Sequence, residues 1–265
     1  YDYWKYMGSV NFDFADEVVI VTGGSSGIGR SISLAFGEAG ATVFNADIRS
    51  DPKDKTAQRP THERVDELGG NGEYIETDVA NPQMIESAVA RAREYGGVDI
   101  MVNNAGWFTR GPIESVEPET FERIVKTNAG GVFFGCQVAA ADMRERGDGG
   151  VIINTASISS THAQSDQIPY DATKGAIKMI TQGAALEMAE DNIRINAVSP
   201  GHIATEFGAG AEQKEESVAE GSLTKPIPLD RPGYPDDIAV LYLASESASY
   251  ITGELVYVDG GWQTF

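Results

Sequence analysis

Tyr170 and Lys174, four residues apart in Tyr170-Asp-Ala-Thr-Lys174, are the pair most able to do chemistry, with Ser157 thirteen residues before the tyrosine. On a helix, residues four apart share one face. An ammonium about 6 Å from a phenol, at an effective dielectric near 20, favours the phenolate by about 3 kcal/mol. That makes a general base of a side chain that is ordinarily a poor one. Ser157 supplies a hydroxyl to hold the reacting oxygen beside it. The trio suits removing the O–H proton of an alcohol while hydride leaves its carbon, or the reverse.

Hydride needs a carrier, and a nucleotide site lies upstream in Thr22-Gly23-Gly24-Ser25-Ser26-Gly27-Ile28-Gly29. Glycines allow a sharp turn and close backbone approach to a pyrophosphate, and the helix that follows presents free N–H groups to it. Asp47 follows Gly29 by 18 residues, at the end of the second strand pattern, with Ile48 next. A carboxylate there accepts the adenosine ribose hydroxyls. It repels a 2′-phosphate by about 3 kcal/mol per charge at about 5 Å. Ser26 is not basic, so no cationic clamp lies inside the glycine turn, and Arg49, two residues beyond Asp47, is a cation able to offset that repulsion. The expected cofactor is therefore NAD, with NADP the lesser alternative.

These residues need elements to position them. Apolar, β-branched runs at 17–22, 42–47, 72–77, 98–102, 151–155, 193–198 and 255–258 alternate with helical patterns near 28–39, 62–68, 82–95, 118–145, 169–190 and 235–244. Such alternation predicts an α/β fold with a doubly wound parallel sheet, helices on both faces. No linker composition interrupts the chain, so residues 1–265 read as a single domain. Residues 50–60, with Pro52 and Pro60, read as a surface loop. Residues 202–227, acidic at 212–216, read as a lid over the site.

The ordered motifs resemble the short-chain dehydrogenase/reductase family of the single-domain, roughly 250-residue type. They are Thr22-Gly-Gly-Ser-Ser-Gly-Ile-Gly29, Asp78-Val79, Asn103-Asn-Ala-Gly106, Asn128, Ser157, Tyr170-x-x-x-Lys174, Pro200-Gly201 and Val258-Asp-Gly-Gly261, spread over about residues 14 to 261. The resemblance implies a Rossmann fold whose seven strands run in the order 3-2-1-4-5-6-7. It implies that Gly23, Ser25, Ser26, Gly27, Ile28 and Gly29 cradle the cofactor, and that Asp78 and Val79 hold its adenine. Asn104, Ala105 and Gly106 then lie beside the nicotinamide ribose, and Ile203 and Thr205, after Pro200 and Gly201, at its carboxamide. Lys174 also bonds the ribose, and Asn128 anchors a water chain from Lys174. It further implies a homotetramer or homodimer, and the tail is similar to that of both sugar 1-dehydrogenases, haloarchaeal members among them, and 3-oxoacyl-thioester reductases.

Charge and composition exclude other classes. Forty acidic residues against 20 basic ones give a net charge of −20. That disfavours nucleic acid and anionic membrane surfaces as partners. It fits a halophilic protein whose self-repulsion is screened by salt, with an ordinary acidic enzyme as the alternative. Cys136 is the one cysteine, within an apolar run, so it reads as a buried structural thiol in a cytoplasmic protein. No apolar run of about 18 residues indicates a membrane span. His62, His162 and His202 lack ligand spacing, so no metal is expected.

The substrate is expected to be a small alcohol or carbonyl compound held by Trp107, Ser159, His162, Gln167 and His202, with Phe108 and Gln164 nearby. That polarity suits a hydroxyl-rich sugar or polyol. A 3-oxoacyl-thioester reductase is the alternative activity, and a non-catalytic nucleotide sensor or scaffold the alternative class. The aromatic Tyr1-Asp-Tyr-Trp-Lys-Tyr6 reads as a cover for a sheet edge or a neighbouring subunit.

Overall fold

The computed structural model describes residues 10–207, 210–223 and 225–264. The aromatic segment Tyr1–Tyr6 lies outside them. Seven strands, β1 (Val18–Thr22), β2 (Thr42–Asp47), β3 (Asn71–Glu76), β4 (Ile100–Asn103), β5 (Gly150–Thr155), β6 (Ile193–Pro200) and β7 (Leu255–Val258), form one sheet. Its order is β3-β2-β1-β4-β5-β6-β7, with every neighbour parallel.

The sheet is buried on both faces because alternate strand residues feed two separate cores. In β1, Val18 and Ile20 pack with Ile85 and Val89 of α3 (Pro82–Ala92), Met143 of α5 (Gly131–Arg146) and Ile177 of α6 (Ile168–Met188). Val19 and Val21 face the other way. They meet Phe36 of α1 (Gly27–Glu38), Val65 of α2 (Thr61–Leu68) and Leu243 of α8 (Val240–Ala244). Strand order reverses between β1 and β4, which opens a crevice at the carboxyl ends of the strands.

Two expected helices differ from their patterns. The 118–145 stretch is not one α-helix: α4 (Pro118–Ile124) passes into a π-helical segment, Val125–Gly130, before α5 begins. The wider turn carries Asn128, wholly buried, toward α6. The 235–244 stretch divides into a 3₁₀ turn, Pro235–Asp237, and α8, because the Asp237 carboxylate is drawn into bonds with the Tyr234 N–H and Arg231. Residues 50–60 are irregular, as their prolines predict. Within 202–227, the described residues hold one further helix, α7 (Ala211–Ala219), with no buried side chain. Among the described residues, no helix is long and apolar enough to cross a membrane.

Candidate active site

A groove of about 570 Å³ runs along the carboxyl ends of the strands. At one end stands the glycine turn. Gly23 has φ +67°, and a Cβ there would lie 2.9 Å from the Ala105 Cα. A Cβ on Gly29 would overlap the Gly23 carbonyl oxygen and the Asn104 amide. Both positions therefore admit glycine alone. Ser26 precedes α1 without capping it, since its Oγ accepts instead from the Lys53 N–H at 2.8 Å. The first turn of α1 also lacks an acidic side chain, so its N–H groups face the groove as an anion site.

Asp47 lines the same groove at the end of β2, accepting from the Ser25 N–H at 3.1 Å and the Arg49 N–H at 3.3 Å. Arg49 and Lys53 line it too. Thr22 joins the glycine turn to β4: its Oγ1 accepts from the N–H groups of Asn104 (2.9 Å) and Ala105 (3.0 Å). An uncapped helix start, a glycine cradle and a strand-end carboxylate fit the pyrophosphate and ribose of a dinucleotide.

Nearly all the expected cofactor residues reach this groove: Gly23, Ser26, Gly27, Ile28, Asp47, Ile48, Asp78, Val79, Asn104, Ala105, Gly106, Tyr170, Lys174, Pro200, Gly201, Ile203 and Thr205. Ser25 and Gly29 lie beneath it, buried. Ser25 acts from below, donating through Oγ to the Arg49 carbonyl at 2.6 Å and so fixing the loop after β2.

Tyr170 and Lys174 stand on α6 at the groove's other end. Lys174 donates to the Thr155 carbonyl at 2.6 Å, and its Nζ lies 5.5 Å from the Tyr170 ring centre. Ser157 stands beside the Tyr170 hydroxyl, its Oγ accepting from the Ser159 N–H at 3.1 Å. Burial pushes the phenol up to about 12, against the pull of Ser157, with the Asp171 carboxylate adding to the rise. Burial likewise brings the Lys174 ammonium down to about 7. The expected lowering of the phenol by Lys174 is not found: both groups are almost sealed from water, so each favours its neutral form.

Asn128 is spent on architecture. Its Oδ1 accepts from the Trp107 N–H at 2.7 Å, and its Nδ2 donates to the Trp107 carbonyl at 2.9 Å and to Thr173 Oγ1 at 3.1 Å. This ties the chain after Gly106 to α6, one residue from Lys174. Both amide hydrogens are used, leaving one Oδ1 lone pair as the side chain's place for a water chain.

The expected substrate residues are mostly elsewhere. Trp107 lines the groove, with the Arg123 guanidinium 4.4 Å above its ring. Ser159 is buried and accepts from Gln164 Nε2 at 2.9 Å and Gln167 Nε2 at 3.1 Å. Gln167 also donates to Asp171 at 2.8 Å. His162 turns to Thr161 and to Trp262, whose ring centre is 5.5 Å away. His202 borders a separate cavity of about 270 Å³ with Tyr257 and Asp259. Its pKa is lowered, first by burial and then by Lys214. The side chains against the Tyr170 ring are instead Phe108 (5.1 Å) and Phe207 (6.3 Å).

Sequence reasoning missed Phe207 and Lys214, which both line the groove. Their signals were faint: an aromatic residue two after Thr205, and a lone lysine within the acidic 212–216 run. Cys136 is buried, and burial pushes its thiol up to about 12, as suits an inert packing residue. Among the described residues, no three of His, Cys, Asp and Glu are placed to hold a metal ion.

Comparison with known proteins agrees with this geometry. Residues 23–263 match the family model described as enoyl-(acyl carrier protein) reductase. The chain is 36% identical over 255 residues to 3beta-hydroxysteroid dehydrogenase 2 of Eggerthella lenta, covering 95% of this chain and 96% of that protein. It is 36% identical over 258 residues to an NAD-dependent glycerol dehydrogenase of Listeria innocua, covering 95% and 96%. The crystal structure of a short-chain type dehydrogenase/reductase from Mycobacterium marinum superposes with a TM-score of 0.85 at 35% identity, covering 96% of this chain and 98% of that one. With its motifs in order, its sheet in the 3-2-1-4-5-6-7 arrangement and its length spanned almost entirely by such relatives, the chain belongs to the short-chain dehydrogenase/reductase family.

Proposed function

We propose that this protein exchanges hydride between a nicotinamide dinucleotide and the carbon of a secondary alcohol or hemiacetal. The observation that carries this reading is the Ser157–Tyr170–Lys174 cluster at one end of a groove whose other end is an uncapped helix start. The cofactor, when bound, accepts or returns the hydride. Tyr170 takes the hydroxyl proton in oxidation and returns it in reduction. Ser157 holds the reacting oxygen against the phenol. Lys174, bonded to the Thr155 carbonyl beside the Tyr170 ring, offers its remaining N–H donors to the groove. Asn128 keeps the Trp107 wall in register with α6. The residues from Gly23 to Thr205 that line the groove bind the dinucleotide, and residues 202–227 act as its lid.

Asp47 supports NAD over NADP, because its carboxylate lines the groove at the end of β2 and repels a 2′-phosphate. For substrate, the first reading is a sugar or polyol, supported by the glycerol dehydrogenase relative. A second reading is an alicyclic alcohol of the steroid kind. The Phe108 and Phe207 rings beside Tyr170 favour it, as does the hydroxysteroid dehydrogenase relative.

Turnover of aldoses, polyols, hydroxysteroids and a β-ketoacyl thioester with each cofactor tests these readings together. Oxidation of a polyol or sugar with NAD supports the first, and of a hydroxysteroid the second. Activity confined to the thioester with NADPH overturns both. Cofactor binding without any turnover points to a sensor or scaffold.

The assembly we propose is a homodimer or homotetramer, supported by exposed Phe121, Phe133, Met179 and Leu186 on α4, α5 and α6. The net charge of −20 supports a halophilic enzyme, and the single cysteine a cytoplasmic one. Full stability in dilute buffer, measured against KCl, argues against that setting.

A further inference from the structure

The chain that roofs the groove is fixed at one end and tethered at the other. At its start, Ile203 bridges Gly233: the Gly233 N–H donates to the His202 carbonyl at 2.9 Å and the Ala204 N–H to the Gly233 carbonyl at 2.8 Å. A Cβ on Gly233 would overlap the Ile203 side chain, so the two strands of chain meet at closest approach there. From that anchor, residues 205–207 cross the groove. A Cβ on Gly27 would lie 3.5 Å from Thr205 and 3.7 Å from Glu206 Oε2, while Phe207 packs on Phe108 (5.9 Å) and Tyr170. The crossing therefore spans from the glycine turn to the catalytic tyrosine.

Beyond it comes α7, a surface helix with no buried apolar side chain. Apolar packing is thus a weak restraint on α7. What reaches back is Lys214. Its Nζ donates to the Phe207 carbonyl at 2.7 Å, the Ile203 carbonyl at 2.8 Å and Thr205 Oγ1 at 3.4 Å. An ammonium has three donors, and here all three are used on one short stretch of chain. Charge-assisted bonds of this kind are about twice as strong as neutral ones. Glu206, next to two of these acceptors, supplies the opposing charge.

Taking the groove as a dinucleotide site, as proposed above, we infer that Lys214 is a positioning residue that latches 203–207 across the nicotinamide end of the groove. It does so through main-chain oxygens and one hydroxyl. The adenosine end is held by the β1–α1 turn and Asp47 and has no need of the latch. Loss of the latch is therefore felt by ligands that carry a nicotinamide and not by those that lack one.

The test is calorimetric binding of NADH and of ADP-ribose to wild type, Lys214→Met and Gln213→Met, with α7's exposed Gln213 controlling for the same change on the same helix. Lys214→Met is expected to weaken NADH about tenfold, the loss of about one charge-assisted bond's worth of positioning, with ADP-ribose unchanged within about twofold. Gln213→Met is expected to match wild type for both. Lys214→Arg, which keeps a multi-donor cation, is expected to recover most of the NADH affinity. Equal weakening of both ligands would make Lys214 a phosphate contact and overturn the latch. No weakening of either, or the same loss in Gln213→Met, overturns it too. If wild type binds neither ligand, the dinucleotide reading itself falls and the latch with it.

Discussion

The two ends of the groove look alike in sequence, each rich in small and polar residues, yet they are built on opposite principles. At the adenosine end the backbone does the work. Gly23 and Gly29 have no room for a side chain, α1 begins uncapped, and Asp47 lines the groove. At the substrate end the polar side chains spend themselves on one another: Gln164 and Gln167 on Ser159, Gln167 on Asp171, Asn128 on Trp107. What remains against the Tyr170 phenol is aromatic. Polarity near a site is informative only when its donors and acceptors are not already paired.

The largest expected effect tests the boundary between these ends. Tyr170→Phe removes the proton carrier but keeps the ring that packs on Phe108. Turnover should fall about 10²–10⁴-fold, the usual scale of positioned acid–base catalysis. NADH affinity should hold within about twofold, because the groove's other end is untouched. Stopped-flow turnover and a binding titration read the two quantities separately. Residual activity near wild type would remove Tyr170 from its assigned role.

Next in size is a substitution at the adenosine end. Asp47→Asn keeps the size and removes the charge. The ratio of kcat/KM with NADP to that with NAD should rise about tenfold or more, given about 3 kcal/mol of repulsion before screening. Arg49 and Lys53, already lining the groove, would then act unopposed on the 2′-phosphate. An unchanged ratio would mean that the carboxylate does not face the ribose.

How much of this was legible depends on whether a feature rests on backbone or on side-chain pairing. The β-branched runs gave up the sheet and its faces, because a strand buried on both sides has to be apolar along its whole length. The glycine spacing located the turn for the same kind of reason: a missing Cβ is written directly in the sequence. The π-helical turn at Asn128 was hidden, since one extra residue per turn leaves an apolar pattern almost unchanged. Lys214 was hidden because an acidic, exposed helix gives no sign of which charge faces inward. The pairing of Ser159 with Gln164 and Gln167 was hidden too, because bonds between residues five and eight apart have no periodicity to show them.

Burial at the Tyr170–Lys174 end of the groove leaves a mark on stability. Lys174 has a folded pKa near 7 against 10.5 for an exposed lysine. Between those values the unfolded chain binds a proton that the folded chain does not, so stability rises with pH from about 7 to about 10.5. Below about 7 both states are protonated and the cost of the buried charge is constant. Tyr170, raised to about 12, works against this above pH 10, where the unfolded phenol ionises first. Lys214, brought down to about 8 by burial, contributes a slope over part of the same range. The difference between wild type and Lys174→Met therefore isolates Lys174. Melting temperature should climb with pH in wild type and climb less in the variant. Parallel curves would place the Lys174 ammonium in water.

The smallest expected effect decides what kind of surface the substrate meets. If Ser159 belongs to the scaffold, Ser159→Ala leaves two glutamine donors short of a buried acceptor. That costs about 1–3 kcal/mol of stability. The KM for substrate should then shift less than about twofold, since Gln167 keeps its bond to Asp171 and the loop its shape. If Ser159 instead reaches a hydroxyl-rich substrate, the order reverses: KM rises severalfold while the melting temperature barely moves. Ser159→Ala run beside Phe207→Ala sharpens the contrast. An aromatic-walled pocket loses apolar substrate binding with the phenylalanine and keeps it with the serine. A sugar pocket does the opposite, and the melting curves show which of the two residues the fold was using.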